Sequence, residues 1–315
     1  MDVLSLGIYV VDALGRPIDQ FPEKGKLALF DELEIHTGGC ANNTAIALAR
    51  LGISTGAMGK VGTDTFGDLV LQTLSDNGVD VAGMRQVTEV STSFTFVAIA
   101  SDGERTFYHY IGANGEFCEA DLDWELIKTA KILHIAGALV MPSFDGVPMA
   151  NVLREAKAQG ITTSLDTAYD ATGKWMETLE PCLQHVDIFM PSIVEAQHLT
   201  GLSESREIVQ FLRNNYGIDT IAIKMGENGS YVSTPKTELS VPVYPVNVVD
   251  GTGAGDAYCA GFLAGTIMDW DLKATAELAS ATGAACVTAM GTTTGIQNLE
   301  ETLKIVVSHR SSVTS

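Results

Sequence analysis

The chain has 315 residues, enough for one large domain or two small ones with an ample apolar core. Hydrophobic residues make up 46% and charged residues 18%, the balance of an ordinary soluble globular protein. The formal net charge of −20 repels a phosphate backbone, which excludes nucleic acid as a partner and demands a locally favourable site for any smaller anion.

Strand-like and helix-like segments alternate along the chain, the pattern of a parallel sheet covered on both faces. Val3–Val11 reads as the first strand, Asn42–Leu51 as a helix, Thr55–Val61 as a strand and Phe66–Asp76 as a helix. Lys131–Ala136, Val147–Gln159 and Ile161–Asp166 follow as strand, helix and strand. Val186–Met190, Val194–Thr200, Glu204–Tyr216 and Thr220–Met225 continue the alternation. Helices near Ala254–Met268, Leu272–Met290 and Leu299–Val307 close the chain. Gly15–His36 and Val90–Tyr110 break the pattern: both hold short β-rich runs, and neither supplies a helix. Ser311–Ser315 reads as a loose C-terminal tail.

No basic region precedes the first apolar run, and no apolar stretch is long enough to span a bilayer, so neither a signal peptide nor a membrane partner is expected. Cys40, Cys118, Cys182, Cys259 and Cys286 are odd in number and contain no Cys-x-x-Cys pair. That usage points to reduced thiols in the cytoplasm and gives no support to zinc.

The segment with most chemistry is Asp250-Gly-Thr-Gly-Ala-Gly-Asp256, running directly into a small-residue helix. Gly253, Ala254 and Gly255 let backbone N–H groups come close to a ligand where a helix starts, with unpaired donors and the positive end of its dipole. Phosphate oxygens suit such a site. Asp256 beside it is unwelcome to phosphate unless it has a task, and the natural one is to take a proton from an attacking hydroxyl. Upstream, Gly38-Gly-Cys-Ala-Asn-Asn-Thr44 turns into a helix, and Gly59-Lys-Val-Gly-Thr-Asp-Thr-Phe-Gly67 forms a Gly-rich turn after the next strand.

Together these segments resemble both signatures of the ribokinase-like (PfkB) carbohydrate kinases, in order and spacing, over nearly the whole chain. The resemblance implies a three-layer α/β/α fold with a mainly parallel central sheet and a small β-sheet lid. It implies one kinase domain over 1–310, with its core in 1–14, 37–89 and 111–310 and its lid in 15–36 and 90–110, and a homodimer joined through the lids. The implied reaction transfers the γ-phosphate of ATP to a hydroxyl of a small sugar or sugar acid, with Mg²⁺ and a possible K⁺.

Residue by residue, the resemblance makes Asp256 the base and Gly253, Ala254 and Gly255 the anion hole. Asp12, Gly38, Gly39 and Asn43 become acceptor-binding residues; read alone, Asp12 would be a turn-capping carboxylate at the end of the first strand. Lys224, Gly226 and Gly229 match the nucleotide-binding turn, although Lys224 also reads as a surface lysine at a strand end. Glu195 matches the carboxylate that helps hold Mg²⁺ through water, and Ser192 replaces the family's Asn. Carbonyls of Asp250, Thr252, Ala289 and Gly291 match the monovalent-cation set. Cys40 stands where some relatives carry lysine, which argues for a neutral acceptor. A structural role is the expectation for His36 and His109.

The rival acceptor is a nucleoside, since Asn43-Thr44 also occurs in that branch and the Phe94/Phe96 strand could face a base. A non-catalytic sugar- or nucleotide-binding regulator is opposed by the presence of Asp256 and Glu195. A dinucleotide-binding oxidoreductase is opposed by the lack of Gly-x-Gly-x-x-Gly after the first strand.

Overall fold

The computed structural model describes residues 1–313. From the N-terminus run β1 (Val3–Gly7), β2 (Val10–Arg16), β3 (Glu32–Gly38), α1 (Cys40–Arg50), β4 (Thr55–Gly62), α2 (Thr65–Asp76) and β5 (Asp80–Val87). Then come β6 (Phe94–Ile99), β7 (Arg105–Tyr110), the short α3 (Gly112–Gly115) and α4 (Trp124–Ile127), β8 (Ile132–Ala138), α5 (Val147–Ala158) and β9 (Thr162–Thr167). The chain continues with α6 (Met176–Leu183), β10 (Ile188–Phe189), α7 (Ile193–Thr200), α8 (Ser205–Tyr216), β11 (Thr220–Lys224), β12 (Ser230–Ser233) and β13 (Glu238–Val241). It ends with α9 (Ala254–Ile267), α10 (Leu272–Cys286) and α11 (Leu299–Val313).

Nine strands form the central sheet in the order β13-β12-β11-β10-β9-β8-β1-β4-β5, parallel from β11 to β5 and antiparallel where β12 and β13 are added. Its middle strands are buried on both faces, because successive side chains point to opposite sides. Leu4, Leu6, Leu133, Ile135, Ile221 and Ile223 pack against α5, α7 and α8. Val3, Ile132 and Ala222 pack on the other side against α1, α9 and α10. This is the expected three-layer α/β/α arrangement.

A second sheet of four strands, ordered β3-β2-β6-β7, is the lid. It begins earlier than expected. The single strand read over Val3–Val11 is broken: Gly7 adopts φ +148°, and a Cβ there would lie 2.0 Å from the Ala136 carbonyl oxygen. The chain then leaves the central sheet, so Val10–Leu14, assigned to the core from sequence, belongs to the lid, as do Thr37 and Gly38. The crossing is fixed by Asn114, whose side chain accepts from Tyr9 N–H and donates to Tyr9 C=O, both at 3.1 Å. The buried Tyr9 hydroxyl donates to the Ser5 carbonyl at 2.8 Å.

Other differences are smaller. β5, β12 and β13 lack the apolar continuity that would have signalled them, since each has exposed positions or only four residues. The helix expected to reach Met290 ends at Cys286, and α11 extends to Val313, so 311–313 of the expected tail are helical. Thr314 and Ser315 lie outside the described residues. No described helix is long and apolar enough to cross a membrane.

Candidate active site

Two helices aim their N-termini at one place, and neither has a side-chain cap. Gly39 (φ +95°) precedes α1, and Gly253 (φ +80°) precedes α9. By contrast, α2, α7 and α10 are capped by Asp64, Ser192 and Asp271. The uncapped starts leave backbone donors for a ligand. Glycine is needed at both: the conformation is left-handed, and a Cβ would meet Ile8 O or Thr292 O at 2.5 Å.

Asp256, in the first turn of α9, joins the two helices. It accepts from Asn43 Nδ2 at 2.7 Å, and the Thr44 hydroxyl donates to its carbonyl at 3.3 Å. Burial pushes the Asp256 carboxyl above the ordinary range, while Asn43 and the Lys224 charge partly counter it.

Lys224, at the end of β11, donates to Asp166 Oδ1 at 2.6 Å in a nearly buried ion pair. Burial disfavours the ammonium, but Asp166, Cys259 and Glu195 together more than offset this and keep it charged. Its Nζ lies 3.5 Å from where a Gly255 Cβ would be, so the lysine borders the glycine turn that starts α9. It is therefore no surface lysine. Glu195 Oε2 accepts from Ser192 N–H (2.7 Å) and Thr167 Oγ1 (3.0 Å). Asp166, absent from the sequence-based set, was detectable as a carboxylate at a parallel strand's C-terminal end.

Asp166, Glu195, Lys224, Gly226, Gly229, Ala254, Gly255 and Asp256 line a cavity of about 730 Å³ with an apolar wall of Val243, Tyr244, Val246, Ala284 and Val287. A smaller cavity of about 130 Å³ lies under the lid, lined by Asp12, His36, Thr95, Val97, Arg105, Phe107, Asp250, Thr252 and Gly291. Asp12 sits mid-strand in β2, opposite His36 and Thr95, not at the end of the first core strand. Burial raises its carboxyl to about 6, and Thr95 and His36 oppose the shift. Gly38 makes room for it: a Cβ there would be 2.0 Å from Asp12 Oδ2. Ala289 lines neither cavity.

His36 borders the smaller cavity, and its Nε2 pairs with Glu34 at 2.8 Å. His109 meets Thr95 at 3.1 Å. Phe94 and Phe96 alternate with Thr95 and Val97 and so face the other side of the lid, where Phe94 stacks on Phe66 and Phe96 packs near Phe30. The aromatic strand cannot serve a nucleoside base in the way the sequence suggested.

Among the described residues no three acidic, cysteine or histidine side chains could together hold a metal ion. Asp166, Glu195 and Asp256 nevertheless set three carboxylates around one ammonium. That donor set fits a Mg²⁺ that keeps its waters and rides on phosphates.

Beside the expected monovalent-cation carbonyls, the one carboxylate is already matched by a protein cation. Asp250 is 1% exposed; its Oδ1 accepts from Thr252 N–H (2.9 Å) and Arg105 Nη2 (2.7 Å), and its Oδ2 from Gly291 N–H (3.1 Å). Arg105 Nη1 donates to the Thr252 hydroxyl, and the Cys286 thiol donates to the Thr252 carbonyl at 3.4 Å. A guanidinium already supplies positive charge at that carboxylate. Arg105 had no sequence signal beyond being a basic residue in a lid strand.

The model for pfkB family carbohydrate kinases matches residues 2–299. The chain belongs to this family. Probable fructokinase-5 of Arabidopsis thaliana is 31% identical over 269 residues, covering 81% of this chain and 83% of the relative. A nucleoside kinase of Methanothermobacter thermautotrophicus is 29% identical over 303 residues, 96% of this chain and 94% of that one. The Arabidopsis thaliana ribokinase complexed with ribose and ATP is 25% identical and superposes with a TM-score of 0.86, covering 96% of this chain and 98% of that one. The enzyme is a carbohydrate kinase of ribokinase-like fold.

Proposed function

We propose that this kinase transfers the γ-phosphate of ATP to a primary or similar alcohol of a small neutral sugar. One observation carries the proposal: Asp256, its proton affinity raised by burial, is held by Asn43 in the larger cavity beside the N–H groups that start α9, close enough to Asp12 of the lid for the two carboxylates to interact. The larger cavity, with its apolar wall and polar floor, has the character of a nucleotide cleft.

In this reading the carboxylate of Asp256 takes the proton of the acceptor hydroxyl as that oxygen attacks phosphorus. The N–H groups at Gly253 to Gly255 receive the charge developing on the phosphoryl oxygens. Lys224, poised on Asp166, adds a positive charge beside them. Asp12 accepts hydrogen bonds from acceptor hydroxyls, and Gly38 makes room for its carboxylate while Gly39 opens the turn into α1. Glu195 and Asp166 would hold the water shell of a Mg²⁺ carried by the nucleotide, which would neutralise phosphate charge. Cys40 supports a neutral acceptor: burial and neighbouring Asp256 keep its thiol protonated, so it offers a phosphosugar no counter-charge.

Finer points belong to the same reading. Leu33, Ile35 and Tyr108 lie exposed on the lid's outer face, and β3 and β7 are open edges, which supports a homodimer joined there. The free cysteines support a reducing, cytoplasmic setting.

The test is a panel of ribose, fructose, 2-keto-3-deoxygluconate, adenosine and fructose 6-phosphate with ATP and Mg²⁺, read by ADP release and product mass. A neutral sugar is expected to give the highest kcat/KM. A higher value for adenosine would replace the sugar reading with the nucleoside one, and a higher value for the phosphosugar would remove the neutral-acceptor argument.

A further inference from the structure

The Arg105 contact joins parts of the molecule that are far apart in sequence and belong to different sheets. Arg105 opens β7, a lid edge strand, opposite Ile99. Its fork spans the Asp250 carboxylate and the Thr252 hydroxyl, at the root of the anion-hole loop, 145 and 147 residues away. Asp250 is almost fully buried and its remaining bonds come from Thr252 N–H and Gly291 N–H, so this carboxylate ties together the α9 loop and the 287–295 turn. An unpaired buried carboxylate would be costly, and Arg105 is the charged side chain that meets it.

We propose that Arg105 is a built-in cation and positioning residue: it orders the anion-hole loop in place of a soluble monovalent ion and makes that order conditional on the lid's position. This rests on the carbohydrate-kinase reading above. Two consequences follow. Turnover needs no particular monovalent cation, because the positive charge is covalently part of the enzyme. The phosphate site is complete only when β7 lies over the acceptor cavity, which Arg105 itself lines beside Asp12 and His36. A bidentate guanidinium suits this task better than a point charge, since its two donors fix the spacing of Asp250 and Thr252.

The experiment uses the full-length enzyme in matched chloride buffers of K⁺, Na⁺ or tetramethylammonium. Wild-type kcat is expected to be the same within about twofold in all three, whereas Arg105→Ala loses about tenfold or more in tetramethylammonium, on the scale of one lost transition-state support. That loss should be partly restored by K⁺ or by millimolar guanidinium, and Arg105→Lys should fall between. KM for ATP should change little. A K⁺ requirement in the wild type, or Arg105→Ala matching wild type in every buffer, overturns the proposal.

Hydrogen exchange of the resting enzyme decides the matter independently of turnover. In tetramethylammonium, Arg105→Ala should expose segment 249–256 while Thr162–Thr167 stays protected, and guanidinium should reverse the change. If no acceptor in the panel is phosphorylated, the functional reading fails while this arm still tests Arg105. Unchanged exchange in 249–256 overturns the role of Arg105 whatever the substrate.

Discussion

The central sheet and the lid are built by the same chain under opposite constraints. In β4 every residue is buried, and β1 and β8 are the same; in β3 and β7 most residues are exposed or half-exposed. A strand covered on both faces can be apolar throughout and has no freedom to move. A lid strand covered on one side keeps exposed positions, and a change at those positions disturbs little else. The groups assigned to chemistry, Asp256, Lys224, Glu195 and the glycines at 253 and 255, are anchored in the rigid body. Asp12, His36, Thr95 and Arg105, which face the smaller cavity, come from the lid. The division predicts that core changes lower kcat and that changes to Asp12, His36 or Thr95 raise the acceptor KM, with Arg105 the exception because it reaches back to the α9 loop.

The largest effect should come from Asp256→Asn, which keeps the backbone donors and removes the proton acceptor. A fall of about 10²–10⁴ in kcat is expected, with ATP affinity by calorimetry little changed. Near-normal turnover would take Asp256 out of the mechanism and would break the comparison at its strongest point.

Gly253→Ala comes next. Its Cβ would collide with the Thr292 carbonyl in a left-handed conformation, a strain of about 1–3 kcal/mol. Thermal unfolding and kcat should fall together, because fold and anion hole share this residue. A variant with wild-type melting and turnover would show that the loop is softer than described.

On the lid side, Asp12→Asn should raise the acceptor KM by about tenfold to a hundredfold, the value of a charged hydrogen bond, with the smaller part of the change in kcat. A kcat loss larger than the KM change would move Asp12 from selection to chemistry.

The smallest effect is on pH. Both Asp12, near 6, and Asp256 have raised values, so their ionised forms disappear as pH falls through a range above that of an ordinary carboxylate, about 3.9. The acid limb of kcat/KM should lie in that raised range. Asn43→Leu should move it upward, since Asn43 Nδ2 stabilises the ionised Asp256. An acid limb at the ordinary carboxylate value would contradict the described burial.

Much of this was legible in the sequence, and what was not has physical causes. The central strands announced themselves because burial on both faces leaves a continuous apolar run. The glycines at 39 and 253 were legible because only backbone without a side chain can enter those turns. The break after Gly7 was hidden, since Ile8 to Val11 are as apolar as Val3 to Leu6 and only the positive φ of Gly7, which the sequence does not print, marks where the chain turns out of the sheet. Asp12 therefore appeared at the end of a core strand when it lies within a lid strand. Asp166 had a positional signal at the C-terminal end of a parallel strand, whereas Arg105 was hidden because its partner, Asp250, is distant in sequence and a contact of that range leaves no local pattern.

The Asn114 clamp on Tyr9 bears on how such a lid can work. Both backbone groups of Tyr9 are tied by one side chain, and Asn114 itself follows β7 by only a few residues. The strand entering the lid and the strand leaving it are thus fastened at a common root. A plate held there behaves as a cantilever: displacement grows with distance from the fixed end. The far end is the 17–31 connection and the turn at 100–104, and next to that turn the Arg105 contact with Asp250 and Thr252 pins the plate where its travel would otherwise be greatest.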